Sequence, residues 1–97
     1  MAQFIIRVEI LGNASKSEYE KLHAAMEKQG FVRTVTGADG KQFHLPTGEF
    51  HISGDLTEQD VQNKARAGCD RNFKRCAILC AAATSIRGWN LEPVTES

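Results

Sequence analysis

The stretch of residues 73–86 decides which folds this sequence can adopt. Its apolar side chains alternate, with Cys76, Ile78 and Cys80 on one side and small or branched residues between them. This pattern is typical of a strand that is buried on both faces. The alanines also favour helix, so a continuation of the preceding helix is the alternative. We predict a strand, because Asp70-Arg71-Asn72 is a plausible break before it.

The N-terminal segment is the second clear strand. Its even-numbered side chains are all apolar, whereas the odd-numbered set is mixed and comprises Ile5, Arg7, Glu9 and Leu11. Because successive side chains of a strand point to opposite faces, one face of this strand should be buried and the other partly polar. We therefore predict a central strand that ends at Gly12-Asn13.

The best-defined helix follows at about residues 16–29. Ser15 and Glu18 have the spacing of a capping box, in which each side chain satisfies a free backbone amide of the first turn. Gly30 supplies the left-handed residue that ends many helices. Among the apolar positions of this helix, His23 is interpreted as a packing residue.

A second helix is predicted from Thr57 to about Asp70. Thr57 can cap it, with Asp60 three residues further on. A narrow apolar stripe marks the side that should be buried, and consists of Val61, Ala65 and Cys69.

Three shorter β segments lie between the helices. Residues 31–36 and 49–53 are rich in β-branched and aromatic side chains and are predicted as strands. Between them, Asp39-Gly40 is a strong hairpin signal, and residues 41–45 are expected to return as a short extension of that hairpin.

The order strand, helix, strand, strand, helix, strand predicts an α+β, ferredoxin-like βαββαβ (split βαβ) fold. In this plan a four-stranded antiparallel sheet carries two helices on one face. Residues 1–88 form the single domain and residues 89–97 a C-terminal tail, anchored by Trp89 and Leu91. Trp89 is expected to cover the core edge or a dimer contact, with ligand stacking as the alternative. The face of the sheet that carries no helix, which we call the open face, includes His51. A second copy of the chain is expected to cover this face and so to form a homodimer.

Composition limits the partners. The 97 residues include 12 Lys plus Arg and 12 Asp plus Glu, so the formal charge is zero. This balance argues against an unspecific nucleic-acid coat or a membrane-surface protein. We see neither a signal peptide nor an apolar run long enough for a membrane helix. The odd count of three bunched cysteines favours reduced thiols and a cytoplasmic location.

Few residues suggest catalysis. His51 is predicted on the open face, in the strand next to that of Arg7 and Glu9, so Glu9 and His51 are the candidate acid–base pair. The alternative is a cross-strand hydrogen bond between His51 and Glu9 within a dimer interface. Cys76 and Cys80 lie too far apart on a strand to share one zinc ion. We therefore expect no cofactor, and a divalent metal has no support among these residues.

Cations are concentrated near the end of the second helix. Such a cluster can hold phosphate groups of RNA without reading sequence. The alternative is that these cations stabilise the negative C-terminal end of the helix. The candidate phosphate-binding residues are Arg7, Lys64, Arg66, Arg71, Lys74 and Arg75.

A family resemblance extends over nearly the whole chain. Its motifs are Phe4-Ile5-Ile6-Arg7-Val8-Glu9, Tyr19-x-x-Leu22 with Gly30-Phe31, Thr34-Val35-Thr36-Gly37, Asp39-Gly40, Leu45-Pro46, Leu56-Thr57 and Arg87-x-Trp89. With these motifs the chain resembles the GhoS-like family, which comprises antitoxin endoribonucleases of type V toxin–antitoxin systems and their bacterial and phage relatives.

The resemblance implies a ferredoxin-like dimer that cuts a toxin messenger RNA and is related to the small nucleases of CRISPR adaptation. Those nucleases bind a divalent metal through an aspartate near the end of the first strand, where the nearest acid here is Glu9. We therefore expect an antitoxin-like protein that acts on or binds RNA. The alternative is a non-catalytic dimeric binding module of phage or bacterial origin.

Overall fold

The computed structural model describes residues 2–12, 14–37, 39–70 and 75–94. The chain is an α+β protein with two helices and mainly antiparallel β structure. In chain order its elements are β1 (Ala2–Ile10), α1 (Lys16–Lys28), β2 (Thr34–Thr36), β3 (Gln42–His44), β4 (Glu49–Gly54), α2 (Glu58–Asp70) and β5 (Cys76–Ala83).

Strand β1 is the centre of a three-stranded antiparallel sheet with the order β4-β1-β5. Ile5 lies opposite His51 on one side and Ala81 on the other. Arg7, two residues further on, lies opposite Glu49 and Leu79. This register determines which side chains of the open face are neighbours.

The core lies between one face of the sheet and both helices. The even-numbered side chains of β1 are buried there, as the alternation of the sequence predicts. The helices contribute the apolar positions that repeat at three and four residues. The core cluster comprises Phe4, Ile6, Val8, Ile10, Leu22, Met26, Phe31, Phe50, Ile52, Val61, Ala65 and Cys69.

Both helices begin at the predicted caps. The Glu18 amide donates to Ser15 Oγ at 3.3 Å, and the Ser15 amide donates to the Glu18 carboxylate at 3.3 Å, so the capping box is confirmed. At α2 the Asp60 amide donates to Thr57 Oγ1 at 3.1 Å, and the Thr57 amide donates to the Asp60 carboxylate at 2.9 Å. These bonds lower the pKa of Asp60.

Within the ambiguous stretch of residues 73–86, Cys76–Ala83 forms strand β5, and residues 73 and 74 lie outside the described residues. β5 pairs with β1 along eight residues, which confirms the predicted strand over the helical alternative. Its alanines are tolerated because the residues on the helix side, including Ile78, still pack against the core. Pairing with a central strand therefore outweighs the local helix propensity.

The structure differs from a single sheet of four strands at one place. Val32 and His51 exchange both backbone hydrogen bonds, at 2.9 and 2.8 Å, so the predicted second strand starts beside β4. At Arg33 the chain bends, and the Arg33 carbonyl accepts from the Leu45 amide instead. Strands β2 and β3 then form a separate two-stranded ribbon.

The C-terminal segment is held by its backbone. The His44 amide donates to the Glu92 carbonyl at 2.8 Å, and the Val94 amide donates to the Gln42 carbonyl at 3.0 Å. The prediction that Trp89 anchors this segment is wrong, because its side chain is 88% exposed. Pairing with β3 holds the segment without the indole.

Candidate functional site

A groove of about 990 Å³ runs between the open face of the sheet and the β2–β3 ribbon. We call it the ribbon groove. Gln3 and His51 lie at its sheet side, and Thr34, Thr36 and Phe43 line its ribbon side. The chain after β5, residues 86–91, forms its rim. The groove therefore combines parts of the sequence that lie more than eighty residues apart.

His51 is held in the groove by its backbone and by its side chain. Its backbone pairs with Val32, and its Nε2 lies 2.9 Å from Oε1 of Gln3. Because an amide oxygen only accepts hydrogen bonds, Nε2 carries the proton in this contact. The neutral imidazole then has Nδ1 as its free acceptor.

Burial lowers the pKa of His51 below its ordinary value of 6.5. Removal of water disfavours the charged imidazolium, and the partner amide of Gln3 carries no compensating charge. His51 is therefore neutral at pH 7, which is the form that can accept a proton from a ligand.

Glu9 and His51 share the open face but are not neighbours. His51 lies opposite Ile5, and Glu9 is four residues further along β1. At about 3.3 Å per residue this separates them by about 13 Å along the strand. Glu9 is exposed and lies opposite Ala77 of β5. In this register the side chain of His51 contacts Gln3, so Glu9 and His51 do not form the expected acid–base pair.

The rim of the ribbon groove ends in an exposed aromatic side chain. Trp89 lies in a turn in which Asn90 has a φ of 59°, a left-handed conformation that asparagine tolerates better than most residues. Gly88 is packed so closely by Leu91 that a Cβ there would force the leucine to move. Arg87 precedes this turn and also lines the groove. An indole and a guanidinium are thus presented at the same rim.

The predicted phosphate-binding residues fall on different sides of the molecule. Arg7 is exposed on the open face, four residues along β1 from Gln3. Lys64 and Arg66 belong to α2, which packs on the other face, and Arg66 is exposed. Arg75 is exposed directly before β5. Arg71 and Lys74 lie outside the described residues.

The cysteines do not form a metal site in the described part of the chain. Cys76 and Cys80 are free thiols on the same side of β5, about 13 Å apart along the strand, and Cys69 is buried in the core. Burial raises the pKa of Cys80, with the nearby Glu58 carboxylate acting in the same direction. Over residues 2–12, 14–37, 39–70 and 75–94, no three His, Cys, Asp or Glu side chains are grouped to hold a metal ion.

The side chain of Arg33 binds the turn at Leu45 and Pro46 next to the site, and the sequence pattern did not predict this role. Its guanidinium donates to the carbonyls of Leu45 and Pro46, at 2.8 and 2.9 Å, and lies over the ring of Phe50 at 5.9 Å. His23 contacts the same ring edge-on, which supports its interpretation as a packing residue. The alternating pattern of residues 31–36 gave no sign that this arginine would hold a turn twelve residues away.

Stability should fall as the pH drops below about 6.5. Burial is the main cause that lowers the pKa of His23, with Arg33 adding to it, and burial also lowers that of His51. The unfolded chain then binds more protons than the folded chain between the two pKa values, so acid favours unfolding. Glu20 and Glu27 oppose the shift at His23 only in part.

The measurement is the thermal midpoint between pH 7.5 and pH 5 for the wild type, His23→Leu and His51→Gln. Each variant should show a smaller decrease than the wild type, because one depressed imidazole is gone. An NMR titration that places both imidazole pKa values at or above 6.5 would contradict this prediction.

Neither helix in the described part of the chain is long and apolar enough to cross a membrane. A scan against protein-family models finds no match to this sequence. A search of curated proteins likewise finds no match.

Proposed function

We propose that this protein is a small cytoplasmic antitoxin-like protein that binds single-stranded RNA in the ribbon groove. The observation that carries the proposal is the position of Trp89, 88% exposed at the rim of a groove with polar residues on its sheet side. A solvent-exposed indole at the rim of a groove offers a flat apolar surface on which a planar ligand can stack. Flat bases of single-stranded RNA are ligands of this kind.

The groove offers the other contacts that a nucleotide needs. Arg87 can hold a phosphate at the same rim where Trp89 stacks a base. Gln3 and His51 carry donors and acceptors that can reach a base edge or a 2′-hydroxyl group. The threonines of β2 add hydroxyl groups on the opposite side. Stacking, charge and hydrogen bonding are therefore available within one concave surface.

Arg7 extends this surface along the open face. It projects from the same face as Gln3, about 13 Å further along β1. A strand of RNA that leaves the groove in this direction meets a second cation. The cations of α2 are on the helix side and are not needed for this path.

The proposed family and fold agree with this function. The resemblance to the GhoS-like family implies an RNA-directed antitoxin. We interpret the pairing of Val32 with His51 as the start of the fourth strand of a ferredoxin-like sheet, from which β2 and β3 diverge. On this interpretation the ribbon is an elaboration of the fold that forms one side of the groove.

Replacing Trp89 by alanine should weaken RNA binding by about 1–3 kcal/mol, which is about 5- to 150-fold in Kd. The assay is fluorescence anisotropy with a labelled single-stranded RNA of mixed sequence, titrated at low and moderate salt. Trp89→Phe should keep most of the affinity, because a smaller ring still stacks. Arg87→Ala should also weaken binding and reduce the salt dependence.

Arg66→Ala is the matched control, because it removes an exposed arginine from the other side of the sheet. If Arg66→Ala weakens binding and Trp89→Ala does not, the RNA binds the helix side and the groove proposal fails. Absence of binding at low salt would remove the RNA function altogether.

Cleavage of the bound RNA is the second candidate, and the neutral imidazole of His51 favours it. Nδ1 would take the proton of a 2′-hydroxyl group, and the 2′-oxygen would attack the adjacent phosphorus. The bond to the 5′-oxygen would break, giving a 2′,3′-cyclic phosphate and a 5′-hydroxyl group whose proton comes from water. Arg87 would stabilise the charge on the phosphate.

The test is incubation of purified protein with single-stranded RNA, with and without magnesium, and analysis of the product ends. Cyclic phosphate ends that form without magnesium and disappear in His51→Gln support cleavage. Glu9→Gln should leave this activity unchanged, because Glu9 is about 13 Å from His51 along the strand. Intact RNA in all reactions leaves binding as the function and removes the nuclease.

A further inference from the structure

Strand β5 has an outer edge that no described strand covers. It pairs with β1 on one side and is the last strand of the three-stranded sheet. Its eight residues, Cys76 to Ala83, include no charge and no proline. Proteins usually protect exposed edges with such residues, because a bare edge pairs with other strands. β5 has none of these protections.

The register shows which backbone groups face outward. The Leu11 amide donates to the Arg75 carbonyl, so the odd-numbered residues of β5 direct their backbone groups toward β1. In an antiparallel ladder the even-numbered residues then direct theirs away from it. The outer edge therefore offers the amides and carbonyls of Cys76, Ile78, Cys80 and Ala82.

The side chains of this edge are incompletely buried on both faces. Leu79, on the open face, is 71% exposed. Ile78 and Cys80, on the helix side, pack against the core but are only half-buried, unlike the residues of β1 beside them. An additional strand along this edge would cover all three.

We propose that a second copy of this chain pairs with β5, strand against antiparallel strand, around a twofold axis at Leu79. In this register Ile78 and Cys80 exchange backbone hydrogen bonds with Cys80 and Ile78 of the other copy. Leu79 faces its own counterpart as a non-hydrogen-bonded pair, whose Cα atoms lie about 4.5 Å apart. The two sheets join into one sheet of six strands.

The charge pattern favours the same strand of a second copy as the occupant. In a twofold antiparallel pair around Leu79, the exposed leucine meets its own counterpart and every other residue of β5 meets another uncharged residue of the same short segment. β5 has no charge over its whole length, which permits this pairing. The open face is a poorer contact for a second copy, because Arg7 and Glu9 are exposed on it.

Sedimentation of the full chain tests the dimer. The wild type should sediment at twice the 10.7 kDa mass of one chain, and Leu79→Lys should sediment as a single chain. The lysine lies at an exposed position, so circular dichroism should show an unchanged fold. Val32→Lys, at a position 46% exposed and away from β5, is the matched control and should remain dimeric.

Cysteine crosslinking tests the register. Leu79→Cys should form a disulfide between chains under mild oxidation, because the expected Cα separation suits one. Ala77→Cys should not, because residue 77 would lie about 13 Å from its counterpart along the strand. Peptide mapping separates the new bond from bonds of the three native thiols.

Two results would overturn the proposal. A wild-type chain that sediments at the mass of one chain up to millimolar concentration excludes the second copy and leaves the edge to another strand-forming partner. A dimer that Leu79→Lys leaves intact, with no crosslink in Leu79→Cys, places the contact elsewhere. Neither result depends on whether the chain binds RNA.

Discussion

Phe50→Ala should lower the free energy of unfolding by about 3–5 kcal/mol. The Phe50 ring is fully buried and contacts Phe31 edge-on at 6.3 Å, His23 edge-on at 5.8 Å and the Arg33 guanidinium at 5.9 Å. Alanine would leave a cavity and remove three ring contacts together. Because small domains are stable by only about 5–15 kcal/mol, this variant should be close to unfolding.

Urea unfolding monitored by circular dichroism measures the change. Phe43→Ala is the matched control, because Phe43 lies at the ribbon groove and is only partly buried. It should cost clearly less than Phe50→Ala. Equal losses for the two variants would show that the centre of the core is not where the structure has it.

Gly48→Ala should destabilise the protein by more than about 2 kcal/mol, for two reasons that add. Gly48 has a φ of 87°, which costs an alanine about 1–2 kcal/mol. An alanine Cβ there would also lie 2.8 Å from the carbonyl oxygen of Val8. That oxygen belongs to the central strand, and the Gly48 carbonyl accepts from the Val8 amide at 2.7 Å, so the backbone has little freedom to move.

Gly40→Ala separates the two reasons. Gly40 has a similar φ of 84°, but a Cβ there would meet nothing within 4 Å. Its loss of stability in the same urea titration should therefore reflect the backbone conformation alone. The difference between the two variants measures the steric overlap with β1. If Gly48→Ala is no worse than Gly40→Ala, the contact between the turn and β1 is looser than described.

Local patterns were sufficient to predict most of the elements. The caps at Ser15 and Thr57 could be predicted because the partner of each lies only three residues away in sequence. The strand at Cys76–Ala83 could be predicted from the alternation of its side chains between the two faces, although alanine favours helix. Both kinds of signal depend on neighbours along the chain and not on how the elements meet.

The arrangement of the open face depended on register, which alternation does not specify. Alternation placed Glu9 and His51 on the same face. Only the pairing of Ile5 with His51 shows that Glu9 is too distant and that Gln3 is the partner. Shifting β4 by four residues along β1 would preserve every inward and outward assignment and would bring the expected pair together. The sequence pattern cannot distinguish these two registers.

The ribbon groove could not be predicted for a related reason. Its sheet side comes from β1 and β4, its other side from the β2–β3 ribbon and its rim from residues 86–91, and these parts meet only in the folded chain. The ribbon diverges from β4 at the bend at Arg33, whose guanidinium donates to the carbonyls of Leu45 and Pro46. Trp89 was recognised as a candidate ligand contact, but its exposure depends on the backbone pairing of Glu92 and Val94 with β3.

The central position of β1 has a consequence for synthesis. Strand β1, which needs partners on both edges, leaves the ribosome before either of them, and the second partner ends at Ala83. Until then, one side of β1 and the apolar residues beneath it have no cover in the nascent chain. The sheet should therefore close only after translation has passed β5, so a ribosome that stalls earlier would hold an unfinished, aggregation-prone chain.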